Sequence, residues 1–141
     1  MIFPALTLAA TAILALLFLG LCINVSRYRI STRISLGDGS QNYALGDEAS
    51  APRLFVASRS LANFAEYVPL SLILLLIIEM VGAPRWTVIA LAATLVLSRL
   101  MHPFGMHLPA PNPLRAGGIL LQWLVLLLGA IYALLLVPAL L

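Results

Sequence analysis

Four long apolar runs alternate with shorter polar stretches along the chain. The first, IFPALTLAATAILALLFLGLCINVS, carries no charge before Arg27, and the last is charge-free after Arg115. A stretch of about 20 apolar residues spans a bilayer as a helix. The pattern therefore predicts spanning helices over approximately 2–26, 54–80, 86–101 and 115–140. The expected fold is all-α, an integral membrane four-helix bundle in which residues 1–141 form a single transmembrane domain.

The connections differ in kind. Arg27 to Arg53 is the longest, with LGDGSQNYALGDEASAP in its middle, where Gly37-Asp38-Gly39 supplies the positive φ angles of a turn and Asp47 and Glu48 are expected to be solvated. VGAPRW is a tight turn built on Gly82 and Pro84, and HPFGMHLPAPNPLRAGG is a proline-rich connection. Pro69 is expected to kink the second helix. No internal repeat is visible.

Composition agrees with the pattern: 62% of residues are hydrophobic and 9% charged, so a separate soluble domain has no room in 141 residues. Cys22, the sole cysteine, lies inside the first run, which excludes a disulfide framework and a thiol pair for metal. No basic residue precedes that run, it is too long for a signal peptide and it ends in arginines, so it reads as a permanent span. The net charge is +3 and every basic residue is arginine. The arginines are spread over helix ends with no aromatic-rich soluble module, so nucleic acid is not an expected partner. Seven of the eight (Arg27, Arg29, Arg33, Arg53, Arg59, Arg99, Arg115) fall on the side of the first and third loops, and only Arg85 on the other. The positive-inside rule makes that first side cytoplasmic and puts both termini on the opposite side.

The chemistry is expected in RSLANFAEYVPLSLILL, the start of the second helix. At 100° per residue, Asn63 and Glu66 lie within about 40° of Arg59, on one narrow helix face. Such groups at membrane depth face a bundle interior or a water-filled cavity. Arg99 and His102 end the third helix on one face, Arg115 opens the fourth, and Asn24 with Arg27 closes the first, all at the same level. Several arginines with one glutamate suit a small anionic ligand that also carries an amine, while the bilayer admits a lipophilic second ligand. The bland alternative is arginines that only snorkel to headgroups, which fits Arg27, Arg29, Arg33 and Arg53 better than the Arg59, Asn63, Glu66 set. Glu79 is expected at the opposite surface beside Arg85, Gln122 and Trp123 as packing or interfacial groups, and His107 in a loop.

The run Arg59-x-x-x-Asn63-x-x-Glu66-Tyr67-x-Pro69 resembles the second-helix signature of the MAPEG family, the membrane-associated proteins of eicosanoid and glutathione metabolism. The resemblance covers nearly the whole chain, with Arg99 and Arg115 framing the third loop, and SLGDG and NFAEYVPL resemble bacterial members akin to microsomal glutathione transferases. It implies a homotrimer in a bacterial inner membrane, with glutathione as co-substrate between subunits near the cytoplasmic surface, a lipophilic second substrate, and no metal. The residues it implies for glutathione binding are Arg27, Arg29, Arg59, Asn63, Glu66, Tyr67, Arg99 and His102. Arg115 falls on the arginine that stabilises the glutathione thiolate, the reactive form of a thiol whose ordinary pKa is about 8.5. Where eicosanoid-synthesising members carry a tyrosine one turn beyond His102, this chain has Met106.

Three functions compete. A glutathione transferase or peroxidase acting on hydrophobic electrophiles, with a role in detoxification, is favoured by the motif and Arg115. A non-catalytic lipid- or glutathione-binding scaffold is favoured by Met106. A transporter has only buried charge behind it, without discontinuous helices or paired repeats.

Overall fold

The computed structural model describes residues 3–40 and 51–139. Asp47 and Glu48, expected to be solvated, lie outside the described residues. Four helices follow in order: α1 (Ala5–Thr32), α2 (Pro52–Met80), α3 (Arg85–Met106) and α4 (Pro113–Leu136), which ends in a 3-10 turn, Val137–Ala139. Each is long and apolar enough to cross a membrane, and no strand occurs among the described residues. Large apolar side chains point outward, with Leu16 72% and Leu134 70% exposed. Such a surface suits hydrocarbon, where a helix satisfies its own backbone.

Helix packing follows the small residues. A Cβ on Gly105 would collide with the backbone of Leu114 and Arg115, and one on Gly118 would come within 2.9 Å of the His102 backbone. These glycines let α3 and α4 approach closely, the usual basis of helix association in lipid. Gly129 likewise admits Leu74 of α2. Leu14, Phe64, Val68, Leu95 and Val125 join all four helices in a central apolar layer, with the Phe18 and Phe64 rings 5.6 Å apart.

The turns follow local rules. Gly37 and Gly39 take φ of 85° and 78°, and Gly39 abuts Ala51, which donates its N–H to the Gly39 carbonyl at 3.2 Å. After α2, the Gly82 N–H bonds the Glu79 carbonyl at 3.1 Å and the Ala83 N–H bonds the Ile78 carbonyl at 3.2 Å. Gly82, at φ 92°, thus closes a Schellman motif.

Three sequence expectations are corrected. The first helix does not stop near residue 26 but carries Arg27 and Arg29 on to Thr32, since nothing in that stretch breaks a helix. The third helix does not stop near Met101 but continues through Pro103 to Met106. One missing N–H does not end a helix whose surrounding helices hold its course. Glu79 is not a surface partner of Arg85. It is 7% exposed, and its carboxylate accepts from the Leu6 N–H at 3.0 Å, the Thr7 N–H at 2.8 Å and the Thr7 hydroxyl at 2.6 Å. Pro4, at the cap position of α1, has no side chain able to serve. A carboxylate from the last turn of α2 therefore caps α1 across the bundle, where the helix dipole favours negative charge.

Removing that carboxylate leaves buried donors unpaired. Glu79→Ala is expected to lower stability by about 2–4 kcal/mol, and Glu79→Gln, which keeps one acceptor, by less than half as much. Denaturation of the detergent-solubilised chain checks the order; equal stability of Glu79→Ala and the native chain would refute the cap.

Candidate functional site

The second, third and fourth helices converge on one arginine. Arg99 is 1% exposed. Its Nη1 donates to Asn63 Oδ1 at 2.9 Å, Nη2 to the Gly118 carbonyl at 3.2 Å and Nε to Ser98 Oγ at 3.2 Å. The Tyr67 ring lies 6.0 Å from the guanidinium carbon. All its hydrogen-bond acceptors are neutral. A buried cation costs several kcal/mol unless its donors are met, and three acceptors with an aromatic face meet most of that cost.

Glycine makes this possible on the α4 side. The same close approach that sets His102 against Gly118 brings the Gly118 carbonyl to Arg99. Four residues further along α4, the fully buried Gln122 donates from Nε2 to Ser71 Oγ at 2.7 Å, and Ser71 donates to the Tyr67 carbonyl at 2.9 Å. Gln122, expected only to pack or to face the interface, thus ties α4 to the motif helix.

Arg115 sits at the head of α4, exposed. Asn112 fixes that turn from both sides. Its Oδ1 accepts from the Arg115 N–H at 2.9 Å, and its Nδ2 donates to the Gly105 carbonyl at 2.9 Å and the Pro109 carbonyl at 3.2 Å. Asparagine at the cap followed by proline at the first helical position is a readable helix start. Sequence reasoning does not single the residue out, because the stretch reads as one proline-rich connection.

The expected site residues do not all meet. Asn63, Tyr67, Arg99 and His102 form one buried or half-buried group, with Arg115 at its edge. Arg59 and Glu66 share the motif helix but are exposed, on a face that the other described residues leave uncovered. Arg59 lies near the first connection, where Asp38 accepts the Ser40 N–H at 3.0 Å. Hydrogen bonds from Ser40 hold the Asp38 carboxyl below its usual range, and Arg59 adds attraction. The arginines of α1 stand apart. Arg29 donates to the carbonyls of Ser35 at 3.1 Å and Ile34 at 3.5 Å, tying down the chain after the helix. Arg27 lines a separate cleft with Asn24, Tyr28, Ser31 and Arg53. Met106 occupies the last turn of α3, half-buried. No cluster of potential metal ligands occurs among the described residues.

Comparison with known proteins points to one family. The model of a family described as MAPEG matches residues 7–135. The inner membrane protein YecN of Escherichia coli (strain K12) is 34% identical over 93 residues, 66% of this chain and 63% of the relative. The protein of the same name from Escherichia coli O6:H1 matches to the same extent. The match thus spans less than two thirds of these relatives' length. No solved structure matches the chain.

The Arg99 network makes a prediction about stability. Asn63→Leu strands a buried guanidinium donor and is expected to cost about 2–4 kcal/mol. Adding Arg99→Met should recover much of that loss, because the orphaned charge is then gone. A double-mutant cycle by denaturation checks it; additive losses would show that the pair is not coupled.

Proposed function

The chain belongs to the MAPEG family, and from that premise we propose that it is a membrane-bound glutathione transferase or peroxidase acting on hydrophobic electrophiles. The observation that carries the reading is the cationic layer around Arg99: an arginine held by Asn63 of the motif helix, flanked by Tyr67 and His102, with Arg115 at its rim. Glutathione, when bound, supplies a thiolate that attacks an electrophilic carbon or a hydroperoxide oxygen. Arg59 offers a bidentate partner to one of its carboxylates, and Glu66 accepts from its ammonium. Arg115 stabilises the thiolate by direct charge attraction and, by standing at the exposed edge of the layer, leaves the sulfur open to a lipid-borne substrate. Arg99 contributes through Asn63 and through the field it sets, since three of its five donors are occupied within the chain.

Arg59 and Glu66 are exposed at the level of the bilayer, where uncovered charge is costly. A second and third copy of the chain would cover them, which supports a homotrimer with glutathione between neighbours, and a role for Arg27 and Arg29 of α1 near that boundary. The arginine distribution and the relatives' name support residence in a bacterial inner membrane, the first and third loops cytoplasmic and the termini opposite. Met106 in the last turn of α3 favours a second reading, a non-catalytic lipid- or glutathione-binding scaffold.

Ultraviolet difference spectroscopy of the purified chain with glutathione separates the two. The native chain is expected to show thiolate absorption, and Arg115→Ala to lose it together with about 100-fold in turnover while melting normally. Glutathione binding with no thiolate signal in the native chain would favour the scaffold. Sidedness is read by introducing Ala83→Cys or Pro109→Cys in a Cys22→Ala background. An impermeant thiol reagent added from outside should label position 83 and spare position 109; the reverse pattern would overturn the orientation.

A further inference from the structure

The geometry points to a second binding site, in the cleft between the C-terminal end of α1 and the first turn of α2, for the phosphate of an anionic phospholipid headgroup. The cleft has a volume of about 340 Å³ and is lined by Asn24, Arg27, Tyr28, Ser31 and Arg53. A water occupies about 30 Å³ of liquid, so the cleft has room for a phosphate group with part of its glycerol.

The lining is selective in charge. Among the described residues the lining carries two guanidinium groups and no carboxylate, and neither Arg27 nor Arg53 makes a side-chain hydrogen bond or ion pair with them. Arg29 differs: on the same helix, it is occupied by the carbonyls of Ile34 and Ser35. The Ser31 hydroxyl is turned to the Tyr28 carbonyl at 3.0 Å, so its oxygen is a wall rather than a donor. That leaves the two guanidiniums, the Asn24 amide and the Tyr28 hydroxyl to donate to an oxyanion. Ala51 gives α2 no side-chain cap, so the positive end of that helix dipole adds to the same field.

Position selects the source. The cleft lies where two membrane-spanning helices end, and its Tyr28 packs against a buried apolar cluster of Val25, Leu54 and Ala57. Headgroup phosphates are concentrated at that level. A lipid with net negative charge fits better than a choline lipid, whose cation would find no carboxylate among the described lining residues. This site shares Arg27 with the glutathione reading but adds Arg53, which has no part in it, so the Arg53 variants let the two fail separately.

The test is native mass spectrometry of the full chain released from vesicles of phosphatidylglycerol or phosphatidylcholine. The native chain is expected to retain phosphatidylglycerol about tenfold more tightly, and Arg53→Gln or Arg27→Gln to lose about tenfold. Arg33→Gln, which removes an exposed charge on the same side, should lose less than about twofold. Arg53→Lys keeps the charge without the fork and should fall between; it serves if Arg53→Gln does not fold. Equal losses in the Arg33 and Arg53 variants would overturn the site in favour of diffuse attraction. Binding of inorganic phosphate without retention of phosphatidylglycerol would reassign it to a soluble phosphate and overturn the lipid assignment. Displacement of the lipid by glutathione would likewise overturn it, by making the cleft part of the glutathione site.

Discussion

The bundle is organised around a cation that has no anion. Arg99 lies inside a membrane-spanning helix, almost wholly buried, and its guanidinium rests on an amide, a hydroxyl, a backbone carbonyl and an aromatic face. Each acceptor constrains a different element. Asn63 fixes the rotation of α2, the Gly118 carbonyl requires α4 to come close, and that closeness is possible only without a side chain at position 118. Replacing any acceptor by an apolar group would leave a charged donor unpaired in a low-dielectric setting, which costs more than a lost contact. The network therefore specifies one arrangement of three helices, where apolar packing alone would tolerate several.

The opposite end of the bundle uses charge in the reverse sense. Glu79 is a buried anion whose three donors all belong to the first turn of α1. It couples α2 to α1 as Arg99 couples α2 to α3 and α4. The motif helix is thus held at both ends by ionisable groups, with Gln122 and Ser71 between them. A helix pinned in this way presents its remaining polar residues at fixed positions, a precondition for binding a flexible peptide-like ligand in one pose.

The four spans were legible because hydrophobic runs of the right length have few other uses, and the shared face of Arg59, Asn63 and Glu66 followed from helical periodicity. What periodicity does not reveal is which side of that face turns inward. Asn63 goes in because Arg99 comes from another helix to meet it, and that partner is 36 residues away. Glu79 was misread for the same reason: its donors are more than 70 residues distant in sequence, while Arg85 is near in sequence and lies in the same end of the bundle. Pro103 misled in the other direction, since a local stop signal was overridden by helix packing in the bilayer. Asn112-Pro113, the turn that holds Arg115, is a local helix-start signal that goes unnoticed inside a stretch rich in prolines.

The motif therefore divides its labour. Asn63 serves the interior of its own chain, while Arg59 and Glu66, from the same helix, remain on an uncovered face. Were all three given to a ligand, an empty site would leave Arg99 without its amide partner, and the fold would depend on occupancy. Because Asn63 is committed inward, the helix keeps its rotation whether or not a ligand is present, and the exposed pair stays available. The cost of burying the Arg99 charge is thus met within the chain itself, while the exposed pair carries charges that a ligand or a covering surface would have to meet.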